Sequence, residues 1–116
     1  MPLEFKFVEQ TFKVRDQEIT FTEKIAYDEN GEEVYHRETE MENDIKLYDI
    51  YKQRSGLLTT TELKELREKH NLSQKELAEK IVREEREIFR YENGTIQSKE
   101  IDKLIRDILT KGDVRI

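Results

Sequence analysis

Residues 58–97, LTTTELKELREKHNLSQKELAEKIVREEREIFRYENGTIQ, decide the fold of this chain. The stretch carries one helix-start signal twice, because a hydroxyl residue is followed three positions later by a glutamate in Thr59 with Glu62 and in Ser73 with Glu76. In such a capping box each side chain binds the backbone N–H of the other residue, which satisfies donors that the first helical turn leaves free. The spacing therefore predicts two helices that begin close together.

Apolar residues recur at helical spacing behind each start and continue beyond residue 97. We expect inward faces formed by Leu63 and Leu66 in the first helix, Leu77, Ala78 and Ile81 in the second, Ile88 and Tyr91 in the third, and Ile101, Leu104, Ile105 and Ile108 in the fourth. The third helix is expected over about 84–93 and the fourth from Ser98, with His70-Asn71, Gly94 and Gly112 as stops. Short helices joined by tight turns are the layout of a helix-turn-helix.

Period-two alternation takes the place of the helical pattern at the start of the chain. It predicts two antiparallel strands, one through Phe5, Phe7, Phe12 and Val14 and one through Ile19, Phe21, Ile25 and Tyr27, joined by a turn over residues 15–18. Asn30-Gly31 predicts a second turn, and Val34 with Tyr35 predicts a short third strand.

A helical pattern returns at Thr39, which forms a third predicted capping box with Glu42. The apolar stripe of this helix contains Met41, Ile45, Leu47, Tyr48 and Tyr51 and runs to about Arg54. Ser55-Gly56 is the predicted junction, since glycine ends helices. We therefore expect an α+β protein in which a small antiparallel sheet plus helix, residues 1–55, is followed by a four- to five-helix bundle, residues 56–116.

The composition excludes several classes of protein. The chain has 116 residues, no cysteine and two histidines, His36 and His70, so cysteine/histidine zinc sites, disulfide frameworks and cysteine nucleophiles are excluded. No apolar stretch is long enough to cross a bilayer, and a cytoplasmic protein without a membrane partner is expected. The sequence contains no phosphate-binding loop and no catalytic motif, which predicts a protein that is not an enzyme and needs no cofactor.

Charge is distributed unevenly along the chain. Residues 1–55 hold 8 basic and 14 acidic side chains, whereas residues 56–116 hold 13 of each. An acidic half repels nucleic acid and favours a basic protein surface, and exposed strand edges over 5–14 offer places for a partner strand to add. The alternative interpretation is a solvated acidic surface without a partner.

Residues 58–97 also resemble a known family. Leu72-Ser73-Gln74, Leu77-Ala78 and Arg90-Tyr91-Glu92-Asn93-Gly94 are similar to the Cro/C1-type helix-turn-helix domain found in antitoxins of the MqsA (YgiT) family, and Gly56-Leu57-Leu58-Thr59 is similar to that family's junction. The resemblance implies a Cro/C1-type bundle that dimerises on operator DNA and represses its own operon. It also implies an N-terminal half that binds the cognate toxin.

Two segments depart from the family pattern. Residues 27–35 keep the turn of the family's zinc knuckle but not its cysteine ligands, so no metal is expected, and an aromatic cluster is expected to brace the half instead (Phe5, Phe7, Phe21, Tyr27 and Tyr35). Val82-Arg83-Glu84 stands where the family has Gly-Val-Ser between its second and third helices.

The expected DNA-contacting residues lie at the start of the second helix of the bundle and along the third. They are Gln74, Lys75, Glu85, Arg86, Phe89, Arg90 and Asn93. Gln74 and Lys75 would contact phosphates, and arginine and phenylalanine on the third helix would contact guanine and a thymine methyl group. In the alternative, Arg86 and Arg90 pair with Glu87 or Glu92 and the scaffold is a protein-interaction module that has lost DNA binding. A further alternative is that the sequence is the N-terminal part of a longer antitoxin.

Overall fold

The computed structural model describes residues 2–111 and shows an α+β fold, which confirms the predicted class. A three-stranded antiparallel sheet is followed by five helices. The elements are β1 Glu4–Val14, β2 Gln17–Tyr27, β3 Glu33–Val34, α1 Arg37–Arg54, α2 Thr60–Lys69, α3 Gln74–Lys80, α4 Glu85–Tyr91 and α5 Lys99–Lys111. The chain divides into two compact units, Met1–Tyr51 and Lys52–Ile116, with the division inside α1.

β1 and β2 form a long hairpin in the register Val14↔Gln17 to Glu4↔Tyr27. The connection is shorter than the predicted turn over 15–18, because only Arg15 and Asp16 lie between the strands. Arg15 takes a φ of +56°, the left-handed conformation that two-residue hairpin loops require. The two predicted strands and their antiparallel pairing are thus confirmed.

β3 is shorter than expected and pairs only with the end of β2. Gly31 has a φ of +78°, so the predicted second turn is present, and the Asp28 carboxylate supports it by accepting bonds from the backbone N–H groups of Asn30 and Glu32. Tyr35 lies outside the strand and is exposed. Its predicted place in β3 is wrong because the backbone turns into α1 two residues later.

α1 begins at Arg37, so the capping box predicted for Thr39 and Glu42 is wrong. Thr39 is buried inside the first turn, and its hydroxyl is 2.8 Å from Nδ1 of His36. The carbonyl of His36 accepts the N–H of Glu40 at 3.0 Å. The helix therefore starts two residues before the position that the hydroxyl-to-glutamate spacing indicated.

The aromatic cluster expected to brace the first unit does not form. Phe5, Phe7 and Tyr35 are exposed, and Phe21 is the one buried member of the predicted set. The buried apolar residues of the unit are Val14, Ile19, Phe21, Ala26, Leu47 and Tyr51. Val14, Ile19 and Phe21 near the hairpin turn are thus buried, while Phe5 and Phe7 toward the open end of the hairpin are exposed.

Both capping boxes predicted for the second unit are confirmed. The hydroxyl of Thr59 accepts the N–H of Glu62, and the hydroxyl of Ser73 accepts the N–H of Glu76, with the glutamates binding back to the N-cap N–H groups. The core beneath these helices contains Leu58, Leu63, Leu77, Ala78, Ile81, Ile88, Ile101, Ile105 and Leu109. Leu104, predicted to be buried, is exposed, and Leu109, one turn after the buried Ile105, faces the core instead. The predicted stop at Gly112 lies outside the described residues.

α5 is connected to the junction before α2 by buried polar groups. Oδ1 of Asp102 accepts the N–H of Leu58 at 2.8 Å and Nε2 of Gln97 at 3.0 Å. Arg106 bridges Oδ2 of Asp102 and the carbonyl of Gly56. The Gly56–Thr59 segment is therefore held by side chains that come from forty or more residues later in the chain.

Candidate nucleic-acid interface

Two seven-residue helices, α3 and α4, are joined by a tight turn over residues 81–84. The N–H of Arg83 donates to the carbonyl of Ala78 at 2.8 Å, which closes α3. Val82 follows the C-cap with a φ of +57° and 85% of its surface exposed. A β-branched residue rarely takes this conformation, so the turn that aims α4 contains local strain.

α4 has one buried face and one exposed face. Ile88 is fully buried and Tyr91 is half-buried, which fixes the rotation of the helix against the core. The opposite face presents four of the predicted contact residues, Glu85, Arg86, Phe89 and Arg90, at positions that neighbour one another on a helix surface. Phe89 is 53% exposed, a large apolar surface for a side chain with no place in the core.

The carboxylates near α4 are mostly engaged within the molecule. Oε2 of Glu84 lies 2.8 Å from Nε of Arg86, and Oε2 of Glu87 accepts the hydroxyl of Tyr91 at 3.2 Å. Burial and the neighbouring Glu87 carboxylate raise the pKa of the Tyr91 phenol. Glu85 remains exposed without a hydrogen-bond partner among the described side chains.

The predicted arginines differ in their surroundings. Arg86 pairs with Glu84 rather than with Glu87, although both side chains remain largely exposed. Arg90 has no ion pair in the described part of the chain, and Lys75 and Arg83 likewise have none. These three exposed cations therefore keep their full charge available to an anionic partner.

Gln74 is positioned by a buried network that sequence reasoning missed. Arg67 on α2 donates Nε and Nη2 to the two carboxylate oxygens of Glu92, at 2.7 and 3.0 Å. Its Nη1 donates to the carbonyl of Leu72, and Nε2 of Gln74 donates to Oε1 of Glu92 at 3.1 Å. Hydrogen bonding to Glu92 raises the pKa of Arg67 despite its burial. The network connects α2, the first turn of α3 and the C-terminal end of α4.

The C-terminal end of α4 has two more polar contacts. Nδ2 of Asn93 donates to the carbonyl of Phe89 at 2.7 Å, so this predicted contact residue caps the helix. Lys52 is fully buried and donates Nζ to the carbonyl of Tyr91 at 2.9 Å. A cation at this end of a helix is favoured by the helix dipole. No sequence signal near Lys52 indicated this role, because its partner lies 39 residues away.

α3 and α4 pack into one core with α2 and α5, and the outer face of α4 remains exposed. Residues 63–106 match the helix-turn-helix family. No curated protein and no solved structure matches the chain.

The helix-turn-helix match covers α3, the strained turn and α4 together with most of α2 and α5. It supports a DNA-binding regulator of the Cro/C1 type, in which the helix after the turn is the one that enters the major groove. That helix is α4, the element on which the exposed arginines and Phe89 lie.

None of the helices within residues 2–111 is long and apolar enough to span a membrane. No group of three histidine or acidic side chains in that part of the chain is arranged to hold a metal ion.

Proposed function

We propose that the protein is a homodimeric, zinc-free antitoxin of the MqsA type, which represses its own operon through the helix-turn-helix and binds its toxin through residues 1–55. The observation that carries the DNA-binding part is the exposed face of α4, where Arg90, without an ion pair among the described residues, lies beside Phe89 and Arg86 within the matched segment. The proposal includes no catalytic step.

The chemistry of the α4 face fits base reading. Arginine is the residue that most often binds guanine, through two parallel hydrogen bonds to O6 and N7, and a phenylalanine surface suits a thymine methyl group. Arg86 first has to leave Glu84, but that ion pair is exposed and such pairs contribute little stability. Glu85 can accept only from an amino group, such as N4 of cytosine, and so restricts the bases opposite it.

The helix-turn-helix half has no net charge, so attraction to phosphates has to come from individual exposed cations. The charge near α3 and α4 favours DNA more than the net charge of residues 56–116 indicates. Glu87 is hydrogen-bonded to Tyr91 and Glu92 is buried against Arg67, whereas Lys75 is exposed at the start of α3, where phosphates lie in such complexes.

The acidic charge of residues 1–55 supports the toxin-binding part. It is concentrated in residues 28–44, which hold eight acidic side chains and one basic side chain, Arg37. These residues form the turn before β3, β3 itself and the first half of α1. A basic toxin surface would be attracted to this segment, and complementary charge of this kind speeds association and selects partners.

The DNA-binding part is tested by fluorescence anisotropy with a labelled duplex from immediately upstream of the gene, at two salt concentrations. We expect selective binding that weakens with salt. Arg90→Ala should weaken it by about 1–3 kcal/mol at sites that contain the contacted guanine. Lys64→Ala, a change of the same charge on the exposed side of α2, is the control and should leave binding nearly unchanged. Equal affinity of Arg90→Ala and the parent protein would refute this assignment.

The toxin-binding part is tested by rescue of cells that express the neighbouring gene. The full-length variant Glu32→Gln/Glu33→Gln/Asp44→Asn should lose rescue and keep operator binding. A matched variant on the other unit, Glu65→Gln/Glu68→Gln/Glu79→Gln, has the same charge change and should keep rescue. If both variants rescue equally, the acidic segment is not the toxin-binding surface.

A second candidate function, a protein-interaction module without DNA binding, is favoured by the exposed apolar side chains of Phe89 and Val82. The dependence of affinity on salt separates the two functions. Phosphate contacts release counterions in proportion to their number, so a DNA-binding protein gives a steep slope of log affinity against log salt. Binding no tighter than to an unrelated duplex would favour the interaction module.

A further inference from the structure

In the first unit, one edge of the sheet is covered and the other is open. Beyond the short β3, the free edge of β2 is covered by α1, because the side-chain amide of Asn43 binds both the N–H and the carbonyl of Lys24, at 3.0 and 2.8 Å. Lys46 on the same helix donates Nζ to the carbonyl of Thr22. β1 is the outermost strand on the other side, and no element among the described residues pairs with its outer edge. Natural sheets seldom leave a strand of eleven residues open in this way.

The contacts of β2 identify which backbone groups of β1 point outward. The backbone groups of Lys24 and Thr22 point toward α1, so their partners across the hairpin, Phe7 and Glu9, point their own N–H and carbonyl groups away from β2. With a period of two, Thr11 and Lys13 do the same. The outer edge is therefore an unpaired row of donors and acceptors that runs from Phe7 to Lys13.

The sequence of β1 is complementary to itself when two copies run antiparallel with Gln10 opposite Gln10. In this register Val8 of each copy faces Phe12 of the other on one side of the sheet. On the other side Glu9 lies diagonal to Lys13 of the other copy, once for each copy. These two attractive pairs outnumber the single diagonal between the two Glu9 carboxylates.

The remaining contacts of this register are also favourable. Phe7, 64% exposed in the single chain, lies directly opposite Lys13 of the second copy, an arrangement that buries the ring and places a cation near it. Residues 7, 9, 11 and 13 of one copy meet residues 13, 11, 9 and 7 of the other as hydrogen-bonded pairs. The outward-pointing backbone groups are thereby satisfied.

Charge favours a second copy over a basic partner at this edge. β1 itself holds two acidic and two basic side chains, Glu4, Glu9, Lys6 and Lys13. The acidity of the first unit lies instead in residues 28–44. We propose that β1 is a self-association surface, at which two copies of this chain join their sheets into one six-stranded antiparallel sheet through β1–β1 pairing centred on Gln10.

The chain contains no cysteine, so a single introduced thiol reports the register. In the proposed register Gln10 of one copy lies opposite Gln10 of the other in a non-hydrogen-bonded pair. The Cα atoms of such a pair are about 4.5 Å apart, within the span of a disulfide. Gln10→Cys should form a disulfide-linked dimer under mild oxidation that disappears on reduction. Thr20→Cys, exposed on β2, is the control, because three strand spacings separate its two copies, which would lie more than about 14 Å apart. Equal rates of disulfide formation in the two variants would overturn the register.

A charge exchange tests the association itself, measured by sedimentation equilibrium in the absence of DNA. Lys13→Glu turns every diagonal pair into a repulsion and should raise the dimer dissociation constant about tenfold. Glu9→Lys/Lys13→Glu restores the original balance with the signs exchanged and should return the constant to near its parent value. Circular dichroism checks that each variant is folded. A monomeric parent protein, or a dimer that Lys13→Glu does not weaken, would overturn the proposal.

Discussion

At the scale of single residues, the strained Val82 is the clearest conflict between sequence and backbone. Asn71 and Val82 both follow a helix C-cap and have φ values of +56° and +57°. Asparagine tolerates this conformation, whereas valine adopts it at a cost of about 1–2 kcal/mol. Val82→Asn should therefore raise the free energy of unfolding by about 1 kcal/mol in urea denaturation. Val82 is 85% exposed, so the substitution removes little buried apolar surface.

Asn71→Val is the matched control and should lower the free energy of unfolding by a similar amount. A Val82→Asn variant no more stable than the parent protein would show that the turn is not strained. Since the turn aims α4, comparison of operator affinity in the same variant tests whether the strain serves binding.

The buried pair of Arg67 and Glu92 is the second feature at this scale. Arg67→Met should lower the free energy of unfolding by about 3 kcal/mol, because it leaves the Glu92 carboxylate buried without its cation. Arg67→Met/Glu92→Leu should lose much less than the sum of the two single changes, since residues in one network are coupled. Additive losses in a double-mutant cycle would contradict this account.

At the scale of elements, the capping box of α3 couples helix stability to pH. The N–H of Ser73 and, secondly, its hydroxyl bind Glu76 and lower the pKa of its carboxyl group. A carboxylate with a lowered pKa in the folded state stabilises that state above its unfolded-state pKa. The stabilisation is lost as the pH falls through the lower folded-state value.

Glu76→Gln should accordingly flatten the acid side of the stability curve and leave the ordering of α3 intact. The measurement is the urea midpoint at a series of pH values from neutral to acidic, for the parent protein and the variant. Ser73→Ala, which removes only the hydroxyl, should give an intermediate slope. Identical slopes for parent protein and Glu76→Gln would show that this carboxylate does not contribute.

The starts of the helices differ in how well the sequence predicts them. α2 and α3 were predictable to within a residue because their start signals and apolar stripes are local. The spacing of Thr39 and Glu42 looked the same but failed, because His36 supplied an earlier start. Phe5 and Phe7 occupy odd positions of β1 whereas Phe12 and Val14 occupy even ones, so one continuous strand places the two pairs on opposite sides of the sheet. The side that carries Val14 also carries the buried Ile19 and Phe21, and Phe5 and Phe7 on the other side are exposed.

In the candidate interface, local sequence patterns predict which side chains are exposed but not which distant residues are in contact. The exposed positions of Arg86, Phe89 and Arg90 follow from helical periodicity once Ile88 faces inward. The contact between Gln74 and Glu92 and the pairing of Glu92 with Arg67 join residues 18 and 25 positions apart. Such pairs depend on how helices pack, which no local pattern encodes.

At the scale of the whole molecule, Lys52 bears on where the helix-turn-helix half begins. The sequence places the junction at Ser55-Gly56, but the buried Nζ of Lys52 donates to the carbonyl of Tyr91, and the carbonyl of Lys52 accepts the N–H of Leu57. Both bonds lie within the unit Lys52–Ile116. A fragment that starts at residue 56 loses both, whereas one that starts at residue 50 keeps them.

We therefore expect the fragment 50–116 to be more stable than the fragment 56–116 by at least about 1–2 kcal/mol, the contribution of a charged hydrogen bond. Guanidinium denaturation of both fragments measures the difference. Lys52→Met in the longer fragment removes the Nζ hydrogen bond and keeps the backbone one, so it measures the two bonds separately. This variant should show most of the difference in the free energy of unfolding between the two fragments. If the fragment 56–116 is as stable as the longer one, the last turn of α1 is a connector, and the domain begins where the sequence alone indicated.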